Sequence, residues 1–378
     1  MHGPSSARRR EEFPDFCPPV SVLKPMRGSN RETYQNLTSF CRQQYPECEL
    51  LFCVDEARDP AVPVIRRLTA EFPHLPIRLL IGTPAAGTNN KVAKLCRLAR
   101  EARFDLLVAS DGDIRVEPDY LRRVVAPFRH ERVGVVTCLY RGLIGSDLWS
   151  QLEDVALTSS FLPGVLVARE LGVKFALGAT MAVRRQALAA IGGFERLADA
   201  AADDHELGSR VADRGYQVEL AHCTVETECG ARSFVDYFQQ RLRWAIVTRA
   251  SQPWGHLGLL FAQGLPWTIA AIVLAPLPVA AGFAAAYVVL RLGVAFTVGV
   301  SGLRDPLLRR RRWLVFFDDA LGFVIWLASL FTNRVVWQGF DYRVRSGCLV
   351  PVTNGKPAPA EEAACTFEGH GPSQPLIR

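Results

Sequence analysis

Asp105-Leu106-Leu107-Val108-Ala109-Ser110-Asp111-Gly112-Asp113 is the stretch that decides the fold class of this 378-residue chain. The apolar run from Leu106 to Ala109 leaves no polar face. Such a run fits a strand buried on both sides, as in parallel sheets covered by helices. It ends at two carboxylates separated by one glycine. A D-x-D triplet is ordinarily a solvated turn. At the carboxyl end of a buried strand, where ligands of open α/β sheets bind, it acquires another use. Asp111 and Asp113 there can jointly hold a divalent cation that bridges a diphosphate.

Upstream, the chain alternates strand and helix signals in repeated βα units. Strands are expected at 20–24, 49–54, 77–81 and 105–109, and helices at 32–44, 63–72 and 91–103. A mostly parallel sheet with helices on both faces follows from that alternation. A second strand end also carries a carboxylate, Asp55, with Asp59 close behind it. Residues 175–183 are a further strand candidate, with Gly178, Ala179 and Thr180 small enough for close backbone approach.

Downstream, Asp203-Asp204 opens the helical run 205–214. One of the pair can cap that helix, while Asp204 can serve as a general base toward an acceptor hydroxyl. His205 is the alternative base. Further along stands Gln240-Arg241-Leu242-Arg243-Trp244, shortly before a long apolar block. Guanidinium forks match phosphate oxygens, although an isolated basic cluster near a membrane often only touches headgroups.

Hydrophobic residues make up 49% of the chain, concentrated after residue 256. Segments 257–276 and 277–300 together hold one charge, Arg291, and are long enough to span a bilayer at roughly 20 residues each. Gly264 and Pro266 leave the first as an alternative interfacial helix. Segment 313–331 is a third candidate, although Asp318 and Asp319 make a deep span costly. The net charge of +6 includes Arg8, Arg9 and Arg10, and Arg304 with Arg309 to Arg312, of the type found on cytoplasmic membrane faces. The apolar helical stretch 146–171 fits either core packing or the lip of an acceptor channel at a membrane. No basic stripe interleaved with aromatics is present, which weighs against a nucleic-acid partner. Ten cysteines include no CxxC pair and no Cys/His spacing for zinc. Cys53 and Cys138 fit a buried core, and Cys223 and Cys229 are expected as free thiols that could bridge under oxidising conditions. No apolar signal segment is visible at the N-terminus.

Taken together, Asp55, Asp111, Asp113, Asp204 and Gln240 to Trp244 resemble the D, D, D, (Q/R)xxRW signature of inverting lipid and processive glycosyltransferases. The resemblance is to the ceramide glucosyltransferase family and its bacterial relatives. Supporting stretches are VSVLKPM at 20–26, Asp59-Pro60-Ala61, GTNNK at 87–91, SDGDIRVEP at 110–118 and ADRGY at 212–216, with Tyr342, Arg343 and Arg345 near the end. The resemblance implies an α/β fold of the GT-A type over residues 19–252. Membrane helices over 253–335 would follow, then a tail over 336–378 that is basic at first and disordered beyond, with 1–18 as a flexible lead-in. It also implies a UDP-sugar donor, a Mg2+ or Mn2+ ion, a membrane lipid acceptor and single-step inversion. On that basis Asp204 is the base, Asp55 lies on the uridine side, and Asp111 and Asp113 hold the metal-diphosphate. Lys91, Gln240, Arg243 and Trp244 line donor phosphate and acceptor. The family's usual leading transmembrane helix has no counterpart here. The expected location is a membrane, a bacterial inner membrane with the catalytic domain in the cytoplasm. Ceramide with UDP-glucose is the first expectation. A hopanoid acceptor with UDP-N-acetylglucosamine, a processive polysaccharide synthase and a non-catalytic membrane scaffold are alternatives.

Overall fold

The computed structural model describes residues 16–353 apart from 85, 144, 146 and 338, together with 356–357. Arg8, Arg9, Arg10 and the tail beyond 357 lie outside the described residues. Eight strands form one sheet: β1 (Val20–Pro25), β2 (Cys48–Val54), β3 (Ile77–Ile81), β4 (Leu106–Ala109), β5 (Ile114–Arg115), β6 (Val133–Leu143), β7 (Met181–Arg184) and β8 (Gln217–Glu228). Their order is β3-β2-β1-β4-β7-β6-β8-β5. β1 pairs in parallel with β2 and β4, β2 with β3, and β6 with β8. β7 runs antiparallel between β4 and β6, and β5 antiparallel to β8. The sheet is mostly parallel, as the βα alternation requires, and fits the GT-A fold that the resemblance implies.

Side-chain alternation along β4 shows why a continuous apolar run was needed. Leu106 and Val108 join a core with Phe40, Ile65 and Leu68 from helices Thr33–Cys41 and Ala61–Glu71. Leu107 and Ala109 enter a second core with Val92, Leu95 and Leu207 from helices Asn90–Glu101 and Asp203–Asp213. Successive residues point to opposite faces, so both faces must be apolar. Truncating Leu107 to Ala is expected to cost about 2–5 kcal/mol.

The strand expected at 175–183 is realised only as β7. Leu177 and Thr180 close a tight turn instead. Thr137 Oγ1 accepts the Leu177 amide at 2.9 Å and donates to the Thr180 carbonyl at 2.7 Å. That takes Gly178 out of the sheet ladder. The apolar stretch after 146 is helical as expected, from Leu148–Ala156 through one wide turn at Leu157–Phe161 to Leu162–Glu170. Pro163 has no N–H to give the carbonyl of Ser159, a recognised cause of such a wide turn.

After helix Phe234–Ser251 come Pro253–Ala262 and Gly264–Leu274, bent by 50° at their junction. Helices Leu277–Gly302 and Leu314–Phe331 are each long and apolar enough to cross a membrane. They and the bent pair leave Trp254, Leu274, Leu277 and Phe331 more than four-fifths exposed, far more apolar surface than a protein in water alone keeps open. Segment 336–353, expected to begin a tail, folds into an antiparallel sheet instead. Its strands are β9 (Arg334–Trp337), β10 (Phe340–Arg345), β11 (Cys348–Thr353) and β12 (Lys356–Pro357). β11 docks on the domain of the eight-stranded sheet, the Leu349 amide donating to Asp199 O at 2.8 Å and the Ala201 amide to Gly347 O at 2.8 Å.

Candidate active site

The first turn of helix Asn90–Glu101 ties two acidic strand ends together. Asn89 caps it, accepting the Val92 amide at 3.2 Å and donating to Ala200 O at 2.8 Å. Gly87, at φ +65°, lets the loop press against Ala198, where a Cβ would lie 2.4 Å from the carbonyl oxygen. From this turn Asn90 donates to Asp55 Oδ2 at 2.9 Å, and Lys94 reaches the same oxygen at 2.8 Å. Thr83 donates to Asp55 Oδ1. Despite the cost of burial, these donors hold the Asp55 carboxyl below its ordinary range. Asp59 is engaged elsewhere, accepting the Gly28 amide at 3.0 Å and the Ala61 amide at 2.8 Å.

Lys91 points into the centre. Its ammonium lies 2.9 Å from Asp111 Oδ1 and 3.2 Å from Asp203 Oδ2. Burial alone would lower its pKa, but Asp111, Asp203 and Asp204 outweigh that and raise it. Asp204 Oδ2 accepts the Gly178 amide at 2.7 Å, and Oδ1 accepts the His205 amide at 2.8 Å. Burial, then Asp203, push Asp204 up to about 6. A side chain at 178 would meet Asp204 Oδ2 and Lys91 Nζ at 3.3 Å and Asp111 Oδ2 at 3.5 Å. The glycine therefore leaves room where three charged groups converge. The N-cap position, Ala202, carries no capping side chain, and of the two aspartates it is Asp204 that takes a first-turn amide, that of His205. His205 stacks on Phe175 at 6.1 Å with its Nε2 beside Gln252. Burial lowers its pKa and keeps it neutral.

Asp113 is raised to about 6, by burial first and then by Asp111. Its Oδ2 accepts from Thr227 at 3.2 Å. Beneath the two carboxylates runs Lys24, donating to Asp111 O at 2.6 Å and to Ser110 Oγ at 3.3 Å, its ammonium 3.7 Å from the Phe40 ring centre. Burial lowers Lys24 to about 7 against the pull of Asp113 and Asp111. The cluster has more carboxylate than cation. Asp111 and Asp113 offer only hard oxygen donors, which suits Mg2+ or Mn2+. Among the described residues no three His, Cys, Asp or Glu side chains are grouped to hold a metal by themselves. Any ion held by Asp111 and Asp113 would complete its shell with ligands from outside the protein, as Mg2+ commonly does with water.

Helix Phe234–Ser251 divides the 240–244 motif between two surfaces. Arg243 is half-buried, and desolvation lowers its pKa against the pull of Asp204, Asp203 and Asp111, which brings its guanidinium within electrostatic reach of the carboxylates. Its Cζ also lies 5.6 Å from the Trp337 ring centre, on β9. Trp244 stands 5.7 Å from Phe161, which stands 6.1 Å from Tyr140. Burial and the nearby Asp204, Asp111 and Asp113 raise the Tyr140 phenol, so this aromatic wall ends at the acidic cluster. Gln240 donates to Glu153 Oε1, and Glu153 Oε2 accepts the Ala231 amide at 2.9 Å. Arg241 reaches Asp318 Oδ1 at 3.5 Å.

The profile of glycosyl transferase family 21 matches residues 2–350. The chain belongs to glycosyl transferase family 21. Ceramide glucosyltransferase 1 of Caenorhabditis elegans is 28% identical over 237 residues, 62% of this chain and 51% of that protein. The ceramide glucosyltransferase of Candida albicans is 31% identical over 119 residues, 28% and 22% of the two chains. The beta-monoglucosyldiacylglycerol synthase of Trichormus variabilis is 23% identical over 252 residues, 62% and 50%. This chain spans about half the length of the longest-matching of these relatives. In structure it is similar to the mannosyltransferase PcManGT from Pyrobaculum calidifontis, solved with GDP-Man and Mn2+. That likeness has a TM-score of 0.56 at 21% identity and covers 84% of this chain and 88% of the other. It establishes the shared fold.

Several residues of this glycosyltransferase's site went unmarked in the sequence. Lys24 carried a signal, a lysine inside an otherwise apolar strand. Asp203 looked like a capping residue and proves to be an ion partner of Lys91. Tyr140 sits in a strand that gives no hint of a pocket, whereas Phe161 belongs to the stretch 146–171 already considered as the lip of an acceptor channel. The thiols of Cys138 and Cys223 approach to 3.5 Å, whereas Cys229 is buried elsewhere, and all three are free. The Cys223–Cys229 pairing considered from sequence is therefore not the one the fold brings together.

Proposed function

We propose that this glycosyltransferase moves a hexose from a UDP-sugar to the hydroxyl of a membrane lipid, with inversion and with ceramide as the acceptor. The observation that carries this reading is the convergence of Asp111, Asp204 and Lys91 around Gly178, within electrostatic reach of Arg243 and beside an aromatic wall near helices apolar enough for a bilayer. Ceramide glucosyltransferases among the similar proteins support the acceptor class.

In the reaction, the lipid oxygen attacks the anomeric carbon as the bond from that carbon to the diphosphate breaks. The hydroxyl proton passes to Asp204, and UDP departs. A base raised to about 6 is ionised at neutral pH yet basic enough to take that proton. Two backbone amides fix its orientation. Asp55 faces the uridine side, and Lys91 pairs with Asp111 and Asp203. Arg243 offers its fork to the phosphates. Asp111 and Asp113 would hold a Mg2+ or Mn2+ ion, which when bound offsets the charge that develops on the leaving diphosphate. Trp244 lines the acceptor side, and Gln240 serves the site through Glu153. Arg304 and Arg309 to Arg312 support a cytoplasmic side for the catalytic domain.

One observation favours a second acceptor, diacylglycerol: the Trichormus variabilis synthase named above. The relatives named here lend the hopanoid reading no support. The deciding assay uses the purified protein in nanodiscs with radiolabelled UDP-glucose and UDP-N-acetylglucosamine, offered ceramide or diacylglycerol. A β-linked glycolipid from ceramide is expected. Neither glycolipid nor UDP release with any pairing would overturn the proposal.

A further inference from the structure

Asp318 and Asp319 looked expensive inside a membrane span, and Arg291 was the lone charge of the span before it. The fold brings these charges together. Arg291 pairs with Asp319 at 2.8 Å, and Tyr287 donates to Asp319 Oδ2 at 2.7 Å. Asp318, almost fully buried, collects groups from three other elements. Ser160, in the wide turn Leu157–Phe161, donates to its Oδ2 at 2.6 Å. Tyr237 donates to its Oδ1 at 3.0 Å, and Arg241 reaches the same oxygen at 3.5 Å, both from the motif helix. Arg291 comes within 4.0 Å of Oδ2. It also donates to Ser159 O at 2.7 Å, the carbonyl that Pro163 cannot serve, and to Ser160 Oγ at 2.9 Å.

Each contact sits next to one wall of the acceptor side. Ser160 precedes Phe161. Tyr237, Arg241 and Trp244 are spaced i, i+4, i+7 and so share one stripe of their helix. Phe161 and Trp244 face each other at 5.7 Å, and their separation depends on the two segments that Asp318 joins. A buried carboxylate fixed by several donors resists displacement, because no alternative partner exists in an apolar surround.

We infer that Asp318 and Arg291 are positioning residues that set the gap between Phe161 and Trp244, and so govern acceptor binding from within the membrane helices. This rests on the proposed lipid-acceptor reading. The hub touches neither donor nor reacting atoms; it acts through the turn and the motif helix. Wide helical turns of this kind recur at functional sites because they re-aim side chains.

The test compares the full-length protein with Asp318→Asn and with the milder Ser160→Ala in nanodiscs. Asp318→Asn is expected to raise the acceptor KM about tenfold or more, since small misplacements are costly, with kcat little changed and UDP affinity unaltered by calorimetry. Ser160→Ala should shift the acceptor KM in the same direction by a smaller factor. Loss of UDP binding in both variants would mark a general structural role and overturn the inference, as would an unchanged acceptor KM in both. If the wild-type protein glycosylates no lipid, the proposed function fails separately. Hydrogen exchange then judges the hub. Faster exchange in 157–161 and 237–244 of Asp318→Asn, with the sheet unchanged, supports it, and identical exchange refutes it.

Discussion

Replacing Lys91 by Met probes the electrostatics of the site without touching the proposed base. The ammonium lies 2.9 Å from Asp111 and 3.2 Å from Asp203, and Asp204 is close enough to help raise its pKa. Met keeps much of the length of the side chain and removes the charge. Deleting one member of a buried ion pair costs about 3–5 kcal/mol, because the other charges stay buried and unpaired. The Asp111 side chain is 36% exposed, so water screens part of the loss and the low end applies, about 3 kcal/mol. At about 2–4 °C per kcal/mol for a domain of this size, the melting temperature falls by roughly 6–12 °C. The pH dependence has a definite sign. Asp204 is raised to about 6 in the fold, so the penalty for burying its charge is complete above that pH and disappears as pH falls toward its unfolded value. Without Lys91, which pulls its pKa down, Asp204 holds its proton to still higher pH. The gap between variant and wild type is therefore widest at neutral pH and narrows on acidification. Thermal unfolding of the detergent-solubilised proteins near neutral pH and near pH 5, about one unit below the Asp204 midpoint, measures both values. A drop of less than about 2 °C at neutral pH, or an equal drop at both pH values, would refute the reasoning.

Three further outcomes follow from the same geometry. Asp204→Asn should lower kcat by about 10²–10⁴ with UDP binding retained, and the wild-type pH–rate profile should rise with a midpoint near the Asp204 value of about 6; unchanged turnover, or a profile flat through that range, removes Asp204 as the base. Asp111→Ala should weaken UDP binding measured with Mn2+ or Mg2+, and binding that is metal-independent in both proteins would exclude the cation role. Arg243→Lys should cut turnover about tenfold or more, since an ammonium cannot reproduce the planar fork; a change of less than about twofold would mean that Arg243 serves packing against Trp337 instead.

Much of the catalytic half was legible because its signals are local. An apolar run at Leu106 to Ala109 must be buried on both faces, and the core divides it between two helix layers. Acidic residues directly after such runs fall at strand ends, so Asp55, Asp111 and Asp113 could be placed from sequence. The turn around Gly178 was not legible, since Thr137, 40 residues away in sequence, supplies the hydrogen bonds that close it. The sheet at β9 to β11 was missed for a similar reason: its basic residues suggested a tail, whereas Val335, Val344 and Leu349 pack against Ile246 of the motif helix and β11 docks on Asp199 and Ala201, all distant in sequence.

The 240–244 motif divides in the same way. Its sequence determined that two guanidiniums and an indole would stand close together ahead of an apolar block. Helical geometry sends Arg243 toward the carboxylates and Arg241 and Trp244 to another face, and the partners on each face come from distant segments. Gln240 meets Glu153, and Arg241 meets Asp318 across the candidate membrane helices. Residue types, strand ends and apolar spans were thus fixed by local pattern. Which charges meet was decided by tertiary structure, because a buried charge must find its partner wherever the fold brings one within reach.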